Sequence, residues 1–130
     1  MDIFTAYVDG GCNNHNHNNA YGSYAVYLGD QEVTRRTFKL ESKTSNQAEY
    51  DSLLELLRFI SVTDSYSSKD IKWVIFSDSS LMVNQINKKE RCFNKELRKR
   101  LKEVKQLINN TLSTEFYWIS RKKIVEILGH

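Results

Sequence analysis

Three acidic residues are placed where their carboxylates could act together. Asp9 ends a β-rich run, Glu49 lies in the first turn of a long helical pattern, and Asp78 ends a largely apolar run. Strand ends and helix starts that meet at one edge of an α/β sheet form clefts. Carboxylates that converge there repel one another unless a cation compensates them, and Mg²⁺ and Mn²⁺ prefer such oxygen ligands. The three acids therefore predict a divalent-metal site, in which two ions could clamp a phosphodiester.

Each of these acids also has a purely structural interpretation. Asp9 could satisfy a turn beside Gly10 and Gly11. Glu49 could interact with the dipole of its helix, and Asp78 could cap the helix that follows it. The metal site is favoured because all three acids occur together, in this order and in these surroundings.

The elements that must position the acids follow from the hydrophobic pattern. Alternating or apolar β-rich runs predict five strands, over 3–9, 21–28, 32–40, 71–76 and 115–119. Helical spacing predicts helices over 45–60, with Ser45 or Asn46 as the N-cap, over 79–86, over 94–108 and, for one or two turns, within 120–130. Gly10-Gly11 is interpreted as a turn after the first strand. The order predicts an α/β fold with a mixed five-stranded sheet, three antiparallel strands followed by two more, flanked by helices.

Length and composition restrict the class of protein. The 130 residues, 40% of them hydrophobic, fit a single domain over 1–130 with a sizeable core. No run approaches the roughly 18 apolar residues of a membrane span, and the first residues do not resemble a secretory signal. The two cysteines, Cys12 and Cys92, cannot form a disulfide framework, so a reduced, cytoplasmic protein with free thiols is expected. A Cys12–Cys92 bridge remains the alternative.

Charge is distributed unevenly along the chain. The formal net charge is +3, but residues 1–87 have a balance of −4, whereas residues 88–105 contain nine Lys or Arg against three acids. Such asymmetry favours a polyanionic partner. The alternative is that residues 88–105, which we call the basic segment, are the solvated face of an amphipathic helix.

Four segments resemble the motifs of one known family. They are YVDGGC (7–12), TSNQAEY (44–50), FSDSSLMVNQI (76–86) and WISR (118–121). In order and spacing they are similar to the motifs of type 1 ribonuclease H, most of all to those of its compact archaeal and plant-like branch. The resemblance spans residues 3 to about 121 and implies an RNase H-like fold.

The resemblance also implies a function. Members of this family cut the RNA strand of RNA–DNA hybrids internally with two Mg²⁺ or Mn²⁺ ions, leaving 5′-phosphate and 3′-hydroxyl ends. It makes Asp9, Glu49 and Asp78 the catalytic metal ligands. The positions that match substrate-binding residues are Gly10, Gly11, Cys12, Asn46, Gln47 and Ser79. The basic segment would hold phosphates of the substrate, Phe93 and Tyr117 are candidates for stacking, and Trp73 is assigned to the core. A monomer is expected, with a dimer through the tail as the alternative.

The last motif of the family is altered in this chain. The position of its fourth acid is Leu128, so Glu126 becomes the tentative fourth ligand and His130 the alternative. The departure leaves open a second function, a hybrid-binding module with weakened or lost catalysis. A third, a 3′–5′ exonuclease on the same fold, needs a second acid at the position of Gly11. The apolar residues near Leu128 predict that the tail packs on the sheet or on a partner chain. His15 and His17, within the Asn-rich segment 13–19, are left without a role.

Overall fold

A computed structural model describes residues 2–13, 19–63, 65–66, 70–109 and 113–129. The strands are β1 (Asp2–Asn13), β2 (Asn19–Leu28), β3 (Gln31–Leu40), β4 (Ile71–Ser77) and β5 (Ser113–Trp118). The helices are α1 (Ser45–Val62), α2 (Ser80–Ile86), α3 (Lys95–Asn109) and α4 (Arg121–Leu128). In the part of the chain that is described, no helix combines the length and the apolar character needed to cross a membrane. His15 and His17 lie outside the described residues.

The five strands form one mixed sheet in the order β3-β2-β1-β4-β5. The pairs β1–β2 and β2–β3 are antiparallel, and β1–β4 and β4–β5 are parallel. This confirms the predicted fold class, including the three antiparallel strands at the start of the chain. The parallel pairing of β1 with β4 matters most for function, because it brings the carboxyl ends of these two strands side by side.

The main core lies between one face of the sheet and α1. In β4 the residues alternate in burial, and Ile71, Trp73 and Ile75 point into the core. The Trp73 ring stacks on Phe4, with centroids 4.9 Å apart and the planes 17° from parallel. This confirms the assignment of Trp73 to the core. Helix α3 covers the outer side of α1, where Val104 is fully buried.

The opposite face of the sheet is covered in part by α4. Ser120 caps this helix by accepting a hydrogen bond from the Lys123 N–H, and Ile124 and Leu128 are buried against Ala25 of β2. Near its end, Arg35 of β3 donates a hydrogen bond to the Ile127 carbonyl at 2.8 Å. The tail therefore packs on the sheet of its own chain, which is one of the two placements that its apolar residues predicted.

Two local predictions were wrong. Gly10 and Gly11 do not form a turn; β1 continues through them to Asn13, because both pair with residues of β2. The N-cap of α1 is Thr44, not Ser45 or Asn46: the Thr44 backbone is extended and its hydroxyl accepts a hydrogen bond from Gln47 N–H at 3.1 Å. The cap of α2 is Ser79, and not Asp78 as in the purely structural interpretation of that acid.

Candidate metal centre and nucleic-acid cleft

Strand register brings two of the acids together. The last pair in the parallel register of β1 and β4 is Val8 with Ser77, so Asp9 and Asp78 follow as neighbours at the same edge. Glu49, in the first turns of α1, approaches them from the helix layer. One carboxylate oxygen from each of the three residues lies within 4.8 Å of the others. We call these three residues the carboxylate cluster.

Glu49 is held in place from two sides. The Gly10 N–H donates to Glu49 Oε1 at 3.4 Å, and the Ser77 hydroxyl donates to Oε2 at 3.4 Å. Ser77 Oγ in turn accepts a hydrogen bond from Ser79 N–H at 3.0 Å. Ser77 thus connects the end of β4 with the start of α2 and with Glu49. Sequence analysis missed this role, although Ser77 precedes one of the predicted ligands.

Gly10 lets α1 approach β1 closely enough for Glu49 to reach the cluster. A Cβ atom at Gly10 would lie 2.2 Å from the Ala48 carbonyl oxygen and 2.6 Å from Ser52 Oγ. A Cβ atom at Gly11 would lie 2.6 Å from the Tyr21 hydroxyl, which is the far end of a side chain and can move aside. Packing within the protein therefore requires glycine at position 10 but not at position 11. The expected contact of both glycines with nucleic acid stays a prediction.

Burial gives the cluster an unfavourable electrostatic environment. Asp9 is fully buried and Glu49 is 8% exposed. Burial, together with the charge of Asp78, raises the pKa of Asp9 above its ordinary value. Burial first, and then the charges of Asp9 and Asp78, raise the pKa of Glu49 to about 9. Ionisation of all three acids therefore requires nearby positive charge, and a set of carboxylate oxygens suits Mg²⁺ or Mn²⁺.

Arg121, the first residue of α4, supplies positive charge to the carboxylate cluster. Its Nη1 lies 3.0 Å from both carboxylate oxygens of Asp9 and 3.0 Å from Asp78 Oδ2. The hydrogen bond to Asp78 is the largest cause of a pKa for Arg121 above its already high ordinary value. Sequence analysis did not assign Arg121 to the site. The signal that could have found it is the WISR segment, which leads from the end of β5 into α4. Trp118 Nε1–H donates to the Asp78 carbonyl at 3.2 Å.

The tail contributes no acid to the cluster among the residues that the structure describes. Glu126 is exposed on α4 and is not a member of the carboxylate group, and Leu128 is buried in the apolar contact with Ala25. The alternative ligand, His130, lies outside the described residues. The tentative assignment of Glu126 as a metal ligand therefore gains no support from the geometry and stays a prediction.

A cleft of about 410 Å³ opens beside the cluster. Its lining residues come from β1, β2 and the starts of α1 and α4: Gly10, Gly11, Cys12, Asn13, Tyr21, Ser45, Glu49 and Arg121. Four of these, Gly10, Gly11, Cys12 and Glu49, were predicted site residues. Cys12 is a free thiol whose Sγ donates to the Ser42 carbonyl at 3.6 Å.

The other predicted substrate-binding residues lie at helix starts. Asn46 is exposed in the first turn of α1. Gln47 Oε1 accepts a hydrogen bond from Lys43 N–H at 2.9 Å, so part of this side chain holds the helix start. Ser79 Oγ accepts from Met82 N–H at 3.2 Å as the cap of α2. Gln47 and Ser79 therefore have structural roles, and their contact with substrate stays a prediction.

A second groove, of about 580 Å³, lies along the basic segment. We call it the basic groove, and its lining is Gln85, Lys88, Lys89, Glu90, Arg91, Cys92, Phe93, Arg98, Leu101 and Lys105. Phe93 is 80% exposed beside these cations, whereas Arg100 points elsewhere. Arg100 donates to Asp51 at 2.8 Å and joins α3 to α1. The groove is thus lined by five of the nine cations of the basic segment, and Lys95, Lys99, Arg100 and Lys102 do not line it.

Comparison with solved structures supports the same fold. LC11-RNase H1, isolated from compost by a metagenomic approach, superposes with a TM-score of 0.86 at 19% identity, over 97% of this chain and 90% of that one. RNase H1 from the halophilic archaeon Halobacterium salinarum NRC-1 gives a TM-score of 0.81 at 20% identity, over 97% and 93%. LC11-RNase H1 in complex with an RNA/DNA hybrid gives 0.82 at 19%, over 95% and 89%.

Comparison of sequences identifies the family. A search of curated proteins finds no significant match to this chain. The sequence profile of the RNase H family, in contrast, matches residues 2–128, which is nearly the whole chain. The match covers the three acids, the cleft and Arg121 alike. The chain therefore belongs to the RNase H family.

Proposed function

We propose that this protein hydrolyses the RNA strand of RNA–DNA hybrids by metal-dependent endonucleolytic cleavage at Asp9, Glu49 and Asp78, leaving 5′-phosphate and 3′-hydroxyl ends. The observation that carries the proposal is the convergence of three carboxylates within 4.8 Å in a member of the RNase H family. A solved relative with the same fold, LC11-RNase H1, is bound to an RNA/DNA hybrid, which supports this substrate.

Asp9, Glu49 and Asp78 would hold the divalent cations, Mg²⁺ or Mn²⁺, with two ions expected. When bound, such ions activate a water molecule as nucleophile and neutralise charge on the phosphodiester. The chain's own contribution is to fix the ligands. Asp9 and Asp78 are set by the register of β1 and β4, and Glu49 is aimed by the hydrogen bonds from Gly10 and Ser77. Because these ligands come from rigid elements, their oxygens need little rearrangement to meet a cation.

Hybrid recognition is assigned to two surfaces. The cleft beside the cluster would take the RNA strand, with Asn46 and Ser45 at the exposed start of α1 near its rim. A 2′-hydroxyl is the group that distinguishes RNA from DNA, and polar side chains of this kind can bind it. The basic groove would hold phosphates of the DNA strand. It begins after the seven residues of α2, roughly 10 Å along the helix axis from Asp78.

The test is cleavage of an internally labelled RNA–DNA hybrid in Mg²⁺ and in Mn²⁺. Wild-type protein is expected to cut the RNA strand at internal positions. Asp9→Asn is expected to lower the rate by about 10³-fold or more, because it removes a ligand charge without changing side-chain volume. Single-stranded RNA and DNA duplex of the same sequence serve as control substrates.

Three results would contradict the proposal. Absence of cleavage by the wild type in either metal, with salt-sensitive binding of the hybrid, would select the alternative of a binding module. Undiminished cleavage by Asp9→Asn would remove the cluster from the mechanism. Release of terminal nucleotides alone would indicate an exonuclease. Glu126→Gln, run in parallel, tests the tentative fourth ligand, which is exposed on α4 and outside the cluster. A clearly lower rate would support Glu126 as a ligand, and a rate close to that of the wild type would exclude it.

The basic groove is tested by the salt dependence of hybrid binding. Arg98→Ala is expected to lower the slope of log affinity against log salt by about 1, because each neutralised phosphate releases counterions. Arg100→Ala removes the same charge from the same helix, but Arg100 is bonded to Asp51. Its salt slope is therefore expected to stay near that of the wild type. Equal slopes for the two variants, measured by fluorescence anisotropy, would exclude a specific role for the groove.

A further inference from the structure

Arg121 and a metal ion require the same oxygen atoms. The Arg121 Nη1 contacts both oxygens of Asp9 and Oδ2 of Asp78, each at 3.0 Å. A divalent cation held by Asp9 and Asp78 would need carboxylate oxygens of the same two residues as ligands. Two positive groups cannot occupy this space together. Arg121 must therefore withdraw, at least in part, before a cation can bridge the two acids.

The position of Arg121 allows such a movement. Its side chain is 55% exposed, whereas the side chains of Asp9 and Asp78 are 0% and 9% exposed. Asp9 belongs to β1 and Asp78 directly follows β4, which pairs with β1, while the arginine begins a short helix and lines the cleft. Apart from its bonds to the acids, the side chain would give up a hydrogen bond with Tyr21 and little packing when it turns away. The guanidinium is therefore the member of the pair that can move.

Charge balance gives a reason for the contact. The cluster contains three carboxylates, and mutual repulsion of buried like charges disfavours ionisation of all three. Arg121 is a permanent cation that offsets part of this charge. This counterion lets Asp9 and Asp78 stay close together at the sheet edge, where they would hold a metal ion.

We propose that Arg121 is an internal counterion of the carboxylate cluster that a divalent cation must displace, so that this residue weakens and thereby sets the affinity of the site for metal. The inference rests on the proposed function, because it assumes that the cluster binds metal. It assigns Arg121 a positioning role. An arginine that served only to hold α4 in place would not have this signature, because its loss would leave the affinity for metal unchanged or weaker.

The test is direct binding of Mn²⁺ to the full chain, measured by calorimetry and by the loss of the free-ion signal in electron paramagnetic resonance. Arg121→Ala is expected to bind Mn²⁺ about tenfold more tightly than the wild type, a coupling of the size usual between competing sites. Arg121→Lys keeps the charge but not the planar group, and an intermediate affinity is expected. Lys122→Ala is the matched control, because it removes one exposed positive charge from the neighbouring position of α4.

Thermal unfolding gives a second measurement that does not depend on activity. In a chelator, Arg121→Ala is expected to melt at a lower temperature than the wild type, because the acids lose their counterion. Saturating Mn²⁺ is expected to raise its melting temperature by more than it raises that of the wild type, since tighter binding stabilises the folded state more. Lys122→Ala is expected to follow the wild type in both conditions.

The outcomes separate this inference from the proposed function. If the wild type binds Mn²⁺ and Arg121→Ala binds it equally or more weakly, the counterion role is wrong and the metal site stands. If neither protein binds Mn²⁺, or if Asp9→Asn leaves Mn²⁺ binding unchanged, the metal site itself is wrong and both proposals fail. Should Arg121→Ala not fold, the same comparison between Arg121→Lys and the wild type decides the question.

Discussion

The two sides of the candidate site are built in different ways. On one side, Asp9 belongs to β1, Glu49 belongs to α1 and Asp78 directly follows β4; these three elements also form the main core. On the other side, Arg121 begins α4, an eight-residue helix that covers only part of the second sheet face. The acids are buried or nearly so, and the arginine is mostly exposed.

The difference separates rigid from adjustable parts of the site. Each acid is held by strand register or by hydrogen bonds from its neighbours, so its position follows from the fold. Arg121 is held by Asp9, by Asp78 and by a hydrogen bond with Tyr21, so its position depends in part on what else is bound to the acids. A cation-binding site needs both features, because the ligand oxygens must be held in position and the arginine counterion must be able to move away.

The rigid side should be broken by Gly10→Ala, the change with the largest expected effect on stability. The added methyl group would lie 2.2 Å from the backbone oxygen of Ala48, so either β1 or α1 must shift. A loss of about 3 kcal/mol in the free energy of unfolding is expected, measured by urea denaturation. Gly29→Ala is the comparison: the methyl group would meet open space, and only the backbone angle φ of +61° disfavours it, by about 1 kcal/mol. Equal losses would mean that α1 does not depend on close approach at Gly10.

A substitution that weakens the packing of α4, on the adjustable side, should lower the free energy of unfolding by less than Gly10→Ala does. Leu128→Ala removes a buried side chain from the contact of α4 with Ala25, and a loss of about 2 kcal/mol is expected. Val125→Ala, on the exposed side of the same helix, should cost less than about 0.5 kcal/mol. Urea denaturation measures both. Because the three acids are held by other elements, folded Leu128→Ala should still cleave the hybrid; complete loss of cleavage would show that α4 is needed to build the rigid side.

The free energy of unfolding should depend on pH through the acids of the rigid side, and not through Arg121 on the adjustable side. The pKa of Glu49 is raised to about 9 in the folded protein, so between pH 4.5 and 9 the folded state binds more protons than the unfolded state. Stability in a chelator should therefore fall as pH rises through this range, by at most about 1.4 kcal/mol per pH unit for this group. Asp9, whose pKa is also raised, acts in the same direction, and Arg121 stays charged throughout.

Glu49→Gln tests whether Glu49 causes this pH dependence of the free energy of unfolding. The amide has nearly the same shape but does not titrate, so the dependence of unfolding free energy on pH should become flatter. An unchanged slope would assign the dependence to other groups. Metal binding to the wild type should strengthen with pH over the same interval, because the ligands must lose their protons. Calorimetry at several pH values measures this directly.

Much of the fold could be predicted because its signals are local. The largely apolar run over 71–76 predicted a buried strand, and helical spacing predicted α1. The predictions were wrong where one short stretch of sequence was compatible with two local structures. Gly10-Gly11 has the composition of a turn, yet the chain stays extended there because both residues pair with β2. Thr44, Ser45 and Asn46 are all good caps, and only the backbone angles distinguish Thr44.

The residue types and order of Asp9, Glu49 and Asp78 were sufficient to predict an acidic cluster and its preference for divalent cations, because the chemistry of a carboxylate does not depend on the fold. The burial of these acids, the arrival of Arg121 between two of them and the separation of Glu126 from the group depended on the tertiary structure. These features arise from contacts between residues up to 112 positions apart in the chain. Sequence spacing limits which residues can meet within one helix or strand, but only the packing of sheet, helices and tail decides which oxygens a distant side chain reaches.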